Sequence, residues 1–415
     1  MKKCGAIALC LAAILAVFPV SAAEKTLVIW SHWGAEPIKV NFLEVVIEEF
    51  ENAHGVNVEI IWKPKNELKE ELKKSYNTPV PDLTYVDAGF SHARISGSLL
   101  DLSDLNITAD VLAGWGLGSV GEGSNNFLPI EGVSGGIYYN RDVFAKANIE
   151  LPADRAVTTE EFLDIVQTLR AEGITPIAEG TADVPNGKMG MPVINVIFRF
   201  AGPEKTLRFI NGKLPASDPD VVAALTYWKQ VVDAQGYDPE QPLSLTLVEG
   251  ILEMVEGQAG MNFCGTWIYS KFGATEHDRG QVGVLDWVTV ENGKGNASYE
   301  QGWAAGYGIN KNSENQEEAK QFLEFLMTPR AASLWLQHVQ GPYPVVIGEV
   351  PEDSLYGALL KQRTTQQPIT TLFSYPDFGS KAVGNMWEEE VRKLILGEHT
   401  VEQFVEKMNS RLKIR

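Results

Sequence analysis

LVIWSHWGAEP, residues 27–37, is the stretch from which the architecture is read. Its first four residues form a short apolar run, as a buried strand does, and Pro37 suits the first position of a helix because its φ is fixed and it needs no N–H partner. Between them lie Ser31, His32, Trp33, Gly34, Ala35 and Glu36, at the carboxyl end of a strand. That is where open α/β sheets bind their ligands. Downstream, Phe42, Val45, Val46 and Phe50 share one helical face that stops near Gly55, and Val56 to Trp62 alternates as a second strand. A charged helix at Asn66–Tyr76, then Pro79 and Pro81, leads to a third strand at Leu83–Val86. Strand, helix, strand, helix, strand predicts an α/β domain with parallel pairing.

The chain continues in the same style. Residues 114–136 are glycine-rich, and Ile137-Tyr138-Tyr139 reads as a strand. A capping box at Thr158–Glu161 opens a helix over Thr159–Ala171 with Phe162, Ile165, Val166 and Leu169 as its stripe, stopped by Gly173. Asp218-Pro219 caps a helix ended by Gly236, and another spans about Thr246–Glu256. A box from Ser313 to Gln316 is expected to start a helix broken at Pro329, and an amphipathic helix follows Thr400. There is no internal repeat and no Pro/Gly/Ser linker, so the domains are expected to share a broad contact or several crossovers.

With 415 residues, the chain has room for two or three domains at roughly 100–200 residues each. The net charge of −19 argues against nucleic acid or an anionic membrane as partner, since both demand a basic footprint. Ten Trp, twelve Tyr and seventeen Phe exclude a disordered chain. Lys2-Lys3, an apolar run from Gly5 to Val20 and small residues at Ser21-Ala22-Ala23 read as a secretory signal peptide, residues 1–23, and predict a periplasmic location. No later stretch is long and apolar enough to insert in a membrane. Cys4 and Cys10 belong to that signal, and Leu9 before Cys10 does not fit a lipidation site. Cys264 is left without an intrachain partner.

Chemistry-bearing motifs are weak. Gly132-Val133-Ser134-Gly135-Gly136 matches GxSxG, but a nucleophile elbow needs a helix after the serine, and a strand-like run follows here. Gly116–Gly121 matches GxGxxG without the strand before it or the helix after it that a dinucleotide needs. The six His are scattered, no CxxC exists, and neither a metal nor a cofactor is expected. The aromatics say more. His32-Trp33 after the first strand, Tyr85 and Asp87 after the third, Trp267 in a Gly-Thr-Trp turn and Trp303 between Gly302 and Ala304 put flat faces beside polar groups. Such a set suits a sugar, whose faces stack and whose hydroxyls hydrogen-bond to charged acceptors.

Several stretches in order resemble the extracellular solute-binding proteins (family 1) of ABC sugar importers, the group that includes maltose-binding protein. They are LVIWSHWGAEP (27–37), PDLTYVDAG (81–89) with LLDLSDL (99–105), GGIYYNRDVFAKANIELP (135–152), TTEEFLDIVQTLRAEGITPIAEG (158–180), EGQAGMNFCGTW (256–267) and GYGINKNSENQEEAKQFLEFLMTP (306–329). The resemblance implies an α/β, two-lobed periplasmic binding protein (type II-like) with its ligand in a cleft between lobes. The N-lobe would be residues 24–137 plus 305–350, and the C-lobe 138–304 plus 351–415. It implies a carbohydrate ligand, permease subunits as partners, a monomer, and no catalysis.

Carried over stretch by stretch, the resemblance casts Trp33 and Trp267 as stacking platforms and His32, Glu36, Asp87 and Glu131 as hydrogen-bonding groups. Trp303 would contact from the return strand, and Trp387 would be a further stacking face. Pro185–Met189 replaces a more usual Gly-Trp-Pro and offers Lys188, a departure that permits an acidic sugar. Gly341–Pro344 departs from an arginine-bearing pattern. The other readings are a binding protein for a polyol, amino acid or sugar acid, and a secreted hydrolase using Glu131, Asp87 or Ser134.

Overall fold

A computed structural model describes residues 25–75, 77–87, 96–107, 125–180, 182, 189–238, 240, 243–272, 279–345, 350–352, 354–369, 378 and 380–412. The signal-like segment, the GxGxxG match and Lys188 lie outside the described residues, as do the side chains of Trp303, Ala304 and Lys381.

Eleven strands are described, in chain order β1 (Thr26–Ser31), β2 (Asn57–Trp62), β3 (Leu83–Asp87), β4 (Leu128–Val133), β5 (Gly135–Asn140), β6 (Thr175–Ile177), β7 (Ala259–Gly265), β8 (Val282–Leu285), β9 (Ser298–Glu300), β10 (Gly302–Ile309) and β11 (Gln367–Ile369). They form a five-stranded sheet in the order β2-β1-β3-β10-β4, a four-stranded sheet β6-β7-β5-β8, and a small ladder β11-β9. In the first sheet β1 runs parallel to both β2 and β3, while β10 is antiparallel to β3 and β4. The carboxyl ends of β1, β2, β3 and β4 therefore share one edge, where β10 begins.

Each large sheet has its own core. Leu27, Ile29, Phe42, Val46, Phe50, Leu83, Phe322 and Trp335 pack together around the first sheet. Phe162, Val166, Trp228, Phe263, Trp387 and Phe404 do so around the second. The fold is thus mixed α/β in two lobes, with the C-terminal helices Lys381–Ile395 and Val401–Asn409 in the second core. The chain leaves the first sheet at Ser134 and returns to it after Gln301, somewhat before the expected boundaries at 137 and 304.

Local signals account for most elements. The helix Pro37–His54 ends at Gly55, whose φ of 65° permits the left-handed cap. Thr158 and Glu161 make the expected reciprocal capping box. The Ser313 box does not form. That hydroxyl donates to Asp82 Oδ1 at 2.5 Å, across the lobe at the mouth of β3, and the helix starts at Gln316 after Asn315. Pro329 begins a further helix, Pro329–His338, rather than only breaking one. Gly190–Ile210 carries no helical stripe because it is buried nearly all round, and it kinks at Gly202-Pro203.

The two crossovers are tied to one buried charge cluster. Asp286 accepts from Arg199 Nη2 at 2.7 Å, from Arg363 Nε at 2.9 Å and from Gln366 Nε2 at 2.8 Å. The Arg363 guanidinium also donates to Ser134 Oγ and, at 2.7 Å, to the Gly135 carbonyl. Ser134 Oγ in turn donates to the Glu300 carbonyl at 2.7 Å, so the first crossover is bonded to the second. Burial alone would raise the Asp286 carboxyl, but Arg199 and Arg363 outweigh it and hold it down at about 2. Asp286→Ala would strand two buried guanidinium groups, and we expect it to cost about 3–5 kcal/mol and lower the denaturant midpoint accordingly. Arg155→Ala, which breaks an exposed pair with Glu161, should cost less than about 1 kcal/mol. Equal midpoints for the two variants would show that the Asp286 cluster does not hold the lobes.

Candidate functional site

The loop after β1 is built on a buried aromatic floor. Trp33 is fully buried, with Tyr85 and Tyr307 edge-on to it at 5.7 Å and Trp335 at 5.9 Å. Lys39 Nζ lies 4.8 Å from its ring centre. Its surface is therefore committed to the N-lobe core, which corrects its expected role as a stacking platform. Trp33 supports the site from below. Half-buried His32 stands edge-on to Tyr85 at 4.2 Å, and Tyr307 donates its hydroxyl to Ser31 Oγ at 2.9 Å.

The carboxylates are brought together, but with a cation among them. Lys39 Nζ sits 2.8 Å from Glu36 Oε2 and 2.6 Å from Glu131 Oε1, and all three side chains are buried. Glu36 precedes the helix Pro37–His54 and Lys39 lies one turn in, while Glu131 comes from β4. Lys271, on the short helix Tyr269–Phe272 of the other lobe, reaches Glu36 Oε1 at 3.3 Å. Burial would raise Glu36, but Lys39 and Lys271 outweigh it and keep its carboxyl below the usual range. Glu131 goes the other way. Its burial and the nearby Glu36 charge push it up against the pull of Lys39. Burial, helped by the cations Lys39 and Lys65, pushes His32 down to about 4, so its ring is neutral at pH 7.

Asp87, at the end of β3, accepts from the Tyr85 hydroxyl at 3.2 Å and pairs with Lys65 at the start of the helix Lys65–Lys74. From the C-lobe, β7 delivers Gly265 and then the half-buried Trp267. A side chain on Gly265 would come within 2.7 Å of the Trp267 Nε1, so glycine lets the indole lie over the backbone. The turn is fixed to the crossover, with the Thr266 N–H donating to the Ser134 carbonyl at 3.1 Å. Loop residues of both lobes thus meet at one edge of the two sheets.

Other expected residues are not part of this constellation. Trp387 is fully buried in the C-lobe core against Phe209, Phe378 and Phe404, which rules it out as an open stacking face. The backbone of Trp303 pairs with Gly132 at the cleft edge, where β10 carries a bulge. Ser134 is buried in the crossover with its hydroxyl engaged by Glu300 and Arg363, and a strand follows it, so it is no nucleophile elbow. Among the described residues no group of three or more His, Cys, Asp or Glu could hold a metal ion, and no helix is long and apolar enough to cross a membrane. Sequence reasoning missed Lys39, Lys65 and Lys271. Lys39 left a signal: it falls three residues before Phe42 on the buried stripe, where a lysine needs partners.

Known proteins show the same architecture. A protein described as a chitin oligosaccharide binding protein superposes with a TM-score of 0.76 at 23% identity, covering 94% of this chain and 98% of that one. A maltose-bound protein of T. maritima gives 0.70 at 17% identity, covering 94% and 99%. An uncharacterised ABC transporter extracellular-binding protein of Pyrococcus horikoshii is 26% identical over 138 residues, which are 33% of this chain and only 30% of that relative's length. The profile of the family described as bacterial extracellular solute-binding protein matches residues 35–333. By that match, across well over half its length, the chain belongs to the bacterial extracellular solute-binding proteins.

Proposed function

We propose that this protein captures a carbohydrate between its lobes, outside the cytoplasmic membrane, and delivers it to the permease of an ABC importer without chemical change. The observation that carries this reading is the convergence at one sheet edge of His32, Tyr85 and Asp87 from the N-lobe with Trp267 from the C-lobe. Trp267 supplies an indole with a polar edge, and Asp87 and His32 supply fixed hydrogen-bonding groups. The binding of chitin oligosaccharide and maltose by proteins of this fold agrees with that chemistry.

Among the described residues, which do not include Lys188, charge balance favours a neutral sugar over an acidic one. Lys39 is paired with Glu36 and Glu131, Lys65 with Asp87, Lys63 with Glu71, and Lys271 with Glu36. Each of these cations has a carboxylate beside it, so an anionic ligand would have to displace one. The hydrolase reading is disfavoured at each of its residues, because Glu131 is held by Lys39, Asp87 by Tyr85 and Lys65, and Ser134 by the crossover.

The first test is thermal unfolding against neutral mono- and oligosaccharides, sugar acids, polyols and amino acids. A ligand at a hundred times its Kd adds about 2.7 kcal/mol, and we expect a neutral sugar to give that shift and be recovered intact. Stabilisation confined to sugar acids or amino acids would overturn the proposal. Trp267→Ala should weaken binding about 2- to 12-fold while leaving the melting of the free protein near that of the unaltered chain. Affinity should be flat from pH 8 to 6. It should fall as the pH drops towards about 4, where His32 gains a proton beside Lys39 and Lys65. His32→Gln should remove that acid limb in titration calorimetry, and an unchanged limb would take His32 out of the site.

A further inference from the structure

The large hydrophobic side chains left exposed among the described residues are Trp62, Val80 and Val248. Trp62 alone is aromatic, and its place is specific. It is the last residue of β2, in register with Ser31 at the end of β1, and the Lys63 N–H donates to the Ser31 carbonyl at 2.9 Å. The pairing therefore runs right to the loop that holds His32 and Trp33. A side-chain carbon on Gly34 would come within 2.7 Å of Trp62 Cβ and 2.9 Å of Cγ, so the loop lies directly against the root of the indole. Pro64 and the helix Lys65–Lys74 follow at once, and Lys63 is occupied over the Trp30 ring at 4.5 Å. The residue is anchored on both sides, yet 37% of its surface stays open to solvent.

From this placement we infer that Trp62 is an outer stacking platform and that the ligand is an oligosaccharide long enough to reach it. The inference rests on the carbohydrate reading above and deepens it. In the strand order β2-β1-β3-β10-β4, Trp62 stands on the edge strand opposite β4, beside which the Trp267 turn is fixed through Ser134 and Thr266. Four strand spacings separate β2 from β4, roughly 19 Å. On that spacing a single sugar ring held near Trp267 would fall short of Trp62, whereas an extended chain lying across the strand ends would reach it. An indole held open at the carboxyl end of a parallel strand is costly in water, and a sugar face would cover it.

The test compares the signal-free protein with Trp62→Ala and Trp62→Phe by titration calorimetry, using malto-, chito- and xylo-oligosaccharides of one to five rings. In the unaltered protein, affinity should rise with chain length. Trp62→Ala should lose about 2- to 12-fold on the longer members and leave the affinity for one ring within a factor of about two. Trp62→Phe should recover part of the loss. The free Trp62→Phe variant should melt close to the unaltered chain, because its ring keeps the contact with the Gly34 loop, so its affinities report the stacking alone. An equal loss at all lengths, no loss at any length, or an unaltered protein that prefers one ring would each overturn the inference while leaving a carbohydrate receptor in place. Failure of the unaltered protein to bind any sugar would overturn both readings.

Discussion

One carboxylate shared by two guanidinium groups organises the junction of the lobes. Asp286 lies at the end of β8 with Arg199 and Arg363 against it, all three out of contact with water. Taking three charges into the interior is unfavourable unless they are paired and hydrogen-bonded. Here the spare donors of Arg363 go to Ser134 and Gly135, and Arg199 Nη1 donates to the carbonyls of Gly295 and Ser298, while the Arg199 Nε–H is left without a hydrogen-bond partner. Ser134 and Gly135 lie at the first crossover, and Ser298 begins β9, which leads into the second. The charge cluster thereby fixes where the chain passes, and with it the turn that presents Trp267. A GxSxG pattern that resembles a nucleophile elbow in one dimension is, in three, a glycine-flanked crossover whose serine is a hydrogen-bonded tie.

The cleft follows the same physical rule with fewer donors. Lys39 would be an expensive residue on a buried helical face without Glu36 and Glu131, and the two glutamates would repel each other without Lys39. The triad forms a stiff, nearly saturated foundation, with Trp33 beneath Lys39. What the proposed ligand would meet stands above it: half-buried His32 and Trp267, the buried Asp87 paired with Lys65, and the open indole of Trp62. Support and contact are divided between residues that look alike in the sequence.

That division explains what could be read in advance. Strands β1 to β3 and the helix Thr159–Ala171 were legible because periodicity and caps agree there, and local signals govern elements whose one face is buried. The Ser313 box was not, because a hydroxyl that caps locally in isolation bonds to Asp82 more than two hundred residues away. Trp33, Trp62, Trp267 and Trp387 cannot be ranked by neighbours alone. Trp387 lies on the buried face of a helix in the C-lobe core, and Trp62 ends an edge strand with its indole partly open to solvent. Lys39 was hidden by the assumption that carboxylates near a strand end await a ligand, when a cation one turn along the helix already meets them.

Closure of the cleft can be weighed with the same charges. Lys271–Glu36 is the ion pair that crosses from lobe to lobe among the described residues. Its contribution is modest, since Glu36 is already compensated by Lys39 and the Lys271 side chain keeps a fifth of its surface in water. On the proposed function, a ligand would therefore supply most of the bias towards a closed form, and only through contacts that exist when both lobes touch it. Driving such an equilibrium from 1:99 to 99:1 takes about 5.5 kcal/mol of differential affinity. One aromatic stack contributes about 0.5–1.5 kcal/mol and one hydrogen bond to a charged group about 1.5–3 kcal/mol. No single platform reaches the total, so on the proposed function closure would require Asp87 and its neighbours on one side and Trp267 on the other to hold the same molecule at once. On the same reading, a solute that satisfies one lobe alone would bind without closing the cleft, and that difference would be the basis on which the receptor selects its cargo.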